Sequence, residues 1–209
     1  MKKVFVYVMA IFAIAITACN NPSNKNEPGN HDMSNMKDST RHAMATDEKE
    51  LKTVTASFSG VDAKAAATIK EITDHYLQIK NALVNDNGVE AANVAKSMDE
   101  TLRKMDKSLL TAEQKKLYDN IEDGLEEDAE HIGRNGDKIA HQREHFSLMS
   151  KDVYELVKAF GTDRAIYHDH CPMYNDNKGA MWLSEIKDVK NPYFGAEMLT
   201  CGTVEEVIK

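Results

Sequence analysis

The chain has 209 residues, a formal charge of −8, 29% charged side chains and a mean hydropathy of −0.53. An acidic balance of this size argues against nucleic acid or an anionic headgroup surface as the partner. It is compatible with cation handling without requiring it, since secreted proteins are commonly acidic for solubility.

Lys2 and Lys3 precede an apolar run from Val4 to Ala18. At about 15 residues the run falls short of the roughly 20 that a spanning helix needs, and it closes on small residues. Residues 1–18 therefore read as a secretory signal peptide. Ile16-Thr17-Ala18-Cys19 resembles the lipobox of bacterial lipoproteins, which implies acylation of Cys19 and attachment to a membrane facing the periplasm. Asn20 after that cysteine, in place of the Asp of many inner-membrane lipoproteins, points to the outer membrane. Loss of residues 1–18 leaves 24 basic and 34 acidic side chains, a charge of −10.

Residues 19–61 are poor in large apolar groups and read as a flexible tether. Two His-x-Met units, His31-Asp32-Met33 and His42-Ala43-Met44, lie there with Met36 between them. A thioether beside an imidazole is a usable Cu(I) ligand pair; compositional drift is the alternative.

From 62 to 161 the pattern becomes helical. Ala65, Ile69, Ile72, Tyr76, Ile79 and Leu83 recur at four- and three-residue steps up to Asn85-Asp86-Asn87-Gly88, with Gly88 suited to a left-handed cap. A second stripe runs through Ala91, Ala95, Met98, Leu102, Met105 and Leu109. Thr111 with Gln114 forms a capping box before Leu117, Ile121, Leu125, Ala129 and Ile132. The fourth stripe is Ile139, Gln142, Phe146, Met149, Val153, Leu156 and Phe160, stopped by Gly161. Four amphipathic stretches joined by short breaks predict an all-α protein, an up-down four-helix bundle. Residues 162–209 hold Trp182, several aromatics and no helical stripe. They are expected as a small irregular appendage on the bundle, with a short strand possible over 180–186 and a final turn at 203–209.

With Cys19 acylated, two cysteines remain, Cys171 and Cys201. In an oxidising envelope two thiols default to a disulfide. Their neighbours offer a second reading: His168, His170 and Met173 flank Cys171, and Met198 precedes Cys201. Thiolate, thioether and imidazole together suit Cu(I) or Ag(I), with Zn(II) as the alternative through Cys and His. His141 and His145 stand four apart on one helix face, a spacing that suits two imidazoles on one metal or two histidines on a solvated surface. Arg143 and Glu144 between them read as solvated. Glu130-His131 leaves a hard-metal site open beside the acidic run from Glu122. No nucleophile elbow, phosphate-binding loop, dinucleotide fingerprint or His-Glu-x-x-His is present, so no enzyme is expected.

The runs His141 to Phe146, Cys171-Pro172-Met173, Lys178 to Ser184, Asn191 to Gly195 and Met198 to Gly202 closely resemble an envelope protein family. It carries a domain of unknown function found in stand-alone lipoproteins and as the C-terminal extension of copper/silver efflux adaptors. Tyr167 to Met173 is also similar to the core of small heavy-metal-binding domains, with Tyr174-Asn175 in place of the usual His-Pro. The resemblance implies copper as the metal and an efflux adaptor as the partner, in a protein that sequesters or passes on Cu(I). The alternative is an interaction module with a structural Cys171–Cys201 disulfide.

Overall fold

The computed structural model describes residues 50–209. The signal segment, Cys19 and the His-x-Met units at His31, Met33, His42 and Met44 lie outside the described residues. Among the described residues no helix is long and apolar enough to cross a membrane.

The first three long helices are each started by a side-chain cap. Asp62 caps α1 (Ala63–Val84), its Oδ1 accepting from Lys64 N at 2.8 Å. Asn87 caps α2 (Gly88–Leu102) by accepting from Glu90 N at 3.0 Å. The capping box at Thr111 and Gln114 opens α3 (Ala112–Arg134), both reciprocal bonds being present. α4 (Ile139–Phe160) ends at Gly161, whose φ of +82° is one that glycine adopts without steric cost. Successive helices pack side by side and α4 returns to α1. Ile72, Tyr76, Ile79, Leu83, Met98, Leu102, Leu125, Ile132, Phe146, Met149 and Val153 fill the core. Gly88 does not cap α1. Asp86 takes the left-handed conformation there (φ 55°), and Gly88 is the first residue of α2.

The all-α expectation is overturned by a four-stranded mixed sheet. β1 (Lys52–Val54), β2 (Ile166–Cys171), β3 (Ala180–Ser184) and β4 (Thr203–Ile208) form the order β1-β4-β2-β3. β2 is antiparallel to both neighbours, and β1 runs parallel to β4. The molecule is therefore mixed α/β. Residues 203–208, expected as a turn, form β4, and β1 arises within the stretch read as tether. Of the four, only β3 falls where a short strand is expected; β1, β2 and β4 carry little signal because they are three to six residues long and β2 turns a polar group inward at Asp169, which is wholly buried. Pairing β1 with β4 also joins residues 154 apart, Lys52 and Glu206, which no local pattern reveals.

β2 and β3 are linked through a left-handed turn. Asn175, Asp176 and Asn177 have φ of 54–63°, a region that Asn and Asp tolerate better than other side chains. Polar links seat the sheet on the helices. The Tyr76 hydroxyl accepts from Leu183 N at 2.9 Å and lies 2.8 Å from Ser150 Oγ. Lys80, wholly buried, places its Nζ 2.8 Å from Glu185 Oε2.

Candidate metal centre

The approach of α3 to α4 is set by one buried amide. Gln142 Nε2 donates to Gly88 O at 2.8 Å and to Ile132 O at 3.0 Å. Any side chain at position 88 would obstruct this: a Cβ there would stand 2.7 Å from both Gln142 Oε1 and Gly136 O. The start of α2 is thus joined to the α3–α4 turn, and the last turns of α3 are held against the first turns of α4. Arg143, expected to be solvated, works on the same joint. Its guanidinium donates to Pro192 O (2.8 Å), Leu83 O (3.1 Å) and Asp86 Oδ1 (2.6 Å), and only 13% of the side chain is exposed.

This joint brings three histidines together. His131 comes from α3, His141 and His145 from α4, and one donor atom from each lies within 4.8 Å of the other two. His131 Nδ1 is 3.4 Å from His141 Nε2. The His131 and His145 rings stack with centroids 4.1 Å apart, and His141 meets His145 edge-on at 4.6 Å. Behind the triad, Asp128 Oδ1 lies 2.7 Å from His145 Nδ1. A carboxylate there accepts the Nδ1 proton and leaves Nε2 of His145 as the unprotonated nitrogen. Such a partner fixes the tautomer and raises the basicity of a ligating imidazole. Glu144 Oε2 stands 3.4 Å from His141 Nδ1 and does the same more loosely.

The electrostatics favour an uncharged imidazole at His145. Burial pushes His145 below its ordinary range, and the nearby His141 adds to this. Burial, with Asp152 and Glu127 close by, pushes the Asp128 carboxyl up to about 7. Each group is poorly solvated in its charged form. A cation at the triad would compensate the buried carboxylate, and neutral imidazoles are the form that binds a metal. Three nitrogens about a tetrahedral ion with bonds of about 2.05 Å stand about 3.4 Å apart. The observed spread, within 4.8 Å, is wider, so the rings would have to turn to ligate one ion. His141 is 35% exposed, so the site is open on its solvent side.

Of the residues picked from sequence, His141 and His145 belong to this cluster. His131 is marked in sequence only through Glu130-His131, as a hard-metal site left open, and is not joined there to His141 and His145. The signal lay in hairpin symmetry, since His131 and His141 are each five residues from Gly136, at the turn between two antiparallel helices.

The other residues fall in two separate places. Cys171 and Cys201 meet, Sγ to Sγ at 3.0 Å, as free thiols with Cys171 wholly buried. Hydrogen bonding to Cys171, then burial, holds the Cys201 thiol up at about 11. Met173 is 48% exposed, and Met198 is half-buried. By strand alternation His168 and His170 point to the opposite face of β2 from Cys171, and both approach Glu205. The stretch from His168 to Met173 is thus divided between two faces of one strand.

Residues 72–165 match a family described as a protein of unknown function (DUF3347). They constitute a domain of unknown function that includes all three histidines of the triad and stops short of β2. No curated protein and no solved structure matches the chain.

Proposed function

We propose that this is a copper-binding protein of the bacterial cell envelope, anchored by a lipid on Cys19, which holds its cargo ion at His131, His141 and His145. The observation that carries this reading is the convergence of three imidazoles from two helices, with a buried carboxylate behind one of them. Imidazole-only donors suit copper and zinc, and copper stands above zinc in the general order of divalent affinities. Three protein ligands with an open solvent side suit an ion that is taken up and passed on. A partner resembling a copper/silver efflux adaptor would receive it, as the resemblance of this domain to adaptor extensions suggests.

The test is anaerobic Cu(I) and aerobic Cu(II) titration against chromogenic chelators, using residues 19–209 without the lipid. His141→Ala or His145→Ala should lower affinity at least tenfold. Asp128→Asn should lower it about 10- to 100-fold, the usual effect of removing a carboxylate that orients a ligating histidine. Cu(II) spin resonance should report nitrogen donors that disappear in the variants. Unchanged affinity in all three variants would overturn the reading.

The contact between Cys171 and Cys201 favours a second role for the C-terminal segment. With those sulfurs joined, the sheet becomes a stapled docking element, and Cu(I) binding at the thiols is lost.

A further inference from the structure

Residues 191–196, which follow β3, connect the cysteine pair to the helix that carries two of the triad histidines. Asn191 is wholly buried, and its Nδ2 donates to Cys201 O at 2.7 Å. Its Oδ1 accepts from Tyr193 N at 2.8 Å and from Phe194 N at 3.3 Å. One side chain therefore fixes the backbone of Cys201 to the turn at Pro192. Pro192 O in turn accepts from Arg143 Nε at 2.8 Å, and Arg143 stands in α4 between His141 and His145. The path from the sulfurs to α4 runs through Cys201, Asn191, Pro192 and Arg143.

We propose that the thiol–disulfide state of Cys171 and Cys201 regulates the histidine triad through Arg143, and that joining the sulfurs gives the tighter metal site. This deepens the copper reading of the triad and rests on it.

Both ends of the path are closely fitted. Gly202 follows Cys201 with a φ of +139°, and a Cβ there would stand 2.8 Å from the Trp182 ring and 3.0 Å from His170 O. A side chain at that position would hold Cys201 away from Cys171, whose Sγ now lies 3.0 Å from its own. At the other end, a Cβ on Gly195 would stand 2.7 Å from Arg143 Nη2. That nitrogen donates to Asp86 Oδ1 and Leu83 O, and Asp86 Oδ2 accepts from Ala196 N at 3.1 Å. The guanidinium is thus held between the C-terminal segment and the α1–α2 connection. At about 100° per residue, Arg143 leaves α4 on the side away from His141 and His145. It anchors the back of the turn whose front faces His131.

The switch itself is covalent. Cys171 is wholly buried and Cys201 half-buried, so a small disulfide such as oxidised glutathione meets Cys201 first. The Cys201 thiolate attacks one glutathione sulfur and releases a glutathione thiolate. The Cys171 thiolate then attacks Cys201 Sγ in the mixed disulfide and expels the second. The two cysteine protons and two electrons end on two molecules of glutathione. The joined pair restrains residues 172–200, which include the Arg143 acceptor. Ordering that turn beforehand lowers the entropy lost when the ion binds, so affinity rises. A staple that served stability alone would leave the affinity unchanged.

The test uses residues 19–209 with Cys19→Ser, so that Cys171 and Cys201 are the remaining cysteines. This chain is oxidised with glutathione disulfide at mildly alkaline pH, where thiolate is available. It is compared with a chain carrying Cys171→Ala and Cys201→Ala, so neither offers a thiol to the ion. Cu(II) affinity is read by chelator competition, and spin resonance reports the nitrogen donors. The joined chain should bind at least about fivefold more tightly, the lower end of ordinary coupling between sites. Arg143→Gln, or Arg143→Lys where the first does not fold, should bring joined and unjoined chains to the same affinity. Without metal, the imidazole proton resonances of the triad should differ between joined and unjoined chains. Equal affinity with nitrogen donors present in both, or resonances that do not move, would overturn the coupling and leave the triad as a copper site. A difference that survives the Arg143 variants would overturn the route through that residue. No histidine-dependent copper in either form would remove the triad reading and this proposal with it.

Discussion

Asp169 is the residue at which burial and charge conflict most sharply. It is wholly buried, neither carboxyl oxygen has a hydrogen-bond partner, and burial pushes it up to about 7, opposed by Lys80. A carboxyl raised in the folded state binds its proton more tightly than in the unfolded chain. Its contribution is therefore favourable at low pH and is lost as pH rises from about 4 through about 7. His168 acts in the reverse sense: burial lowers it, so stability falls as pH drops below the ordinary histidine range. Asp169→Asn removes only the first effect. The variant should match the parent near pH 4 and exceed it near pH 8 by on the order of 2–4 kcal/mol. Chemical denaturation of both proteins at the two pH values checks this, and a constant difference across the range would refute it. The same scale explains what could be read of the triad. The i, i+4 spacing of His141 and His145 is visible in one helix. His131 joins them only once the α3–α4 hairpin is closed, and that closure rests on Gln142, which reads as just another position in a stripe.

At the level of elements, the joint of α2 with the α3–α4 turn is the feature with most leverage. Replacing a helical glycine by alanine ordinarily stabilises by about 1 kcal/mol. At position 88 the sign should reverse, because the new Cβ meets the Gly136 carbonyl oxygen at 2.7 Å and the Gln142 amide at the same distance. Gly88→Ala should therefore destabilise by about 1–3 kcal/mol, the range for overpacking, and should weaken metal uptake at the triad. Thermal melting and chelator competition on the one variant measure both effects; a raised melting temperature would remove the joint from the account. The helices announce themselves through stripes and caps, each of which depends on residues within one or two turns. The sheet does not. Its strands are short, one of their pairings is between segments far apart in sequence, and the alternation of β2 is carried by His168, Asp169, His170 and Cys171. Of these, His168, His170 and Cys171 read as part of a ligand cluster and are in fact sorted onto two faces by the pleat.

For the molecule as a whole, the Cys171–Cys201 contact closes a loop of thirty residues. A disulfide there should stabilise the fold by about 3–4 kcal/mol. Protein equilibrated with oxidised glutathione should unfold at higher denaturant than the reduced form, and Cys171→Ser should abolish the difference. Two alkylatable thiols after that treatment, with unchanged unfolding, would return the pair to the soft-metal reading. The placement of β1 has a mechanical consequence. The described chain enters the fold at this edge strand, so a pull from its N-terminal side loads β1 first. Because β1 is parallel to β4 with Lys52 beside Glu206 and Val54 beside Ile208, tension along the strand strains those rungs in shear, and only three residue pairs resist it. β1 should therefore detach at low force, before α3 and α4 are disturbed. The strand acts as a mechanical fuse, and the histidine triad stays intact while the chain behind it is stretched.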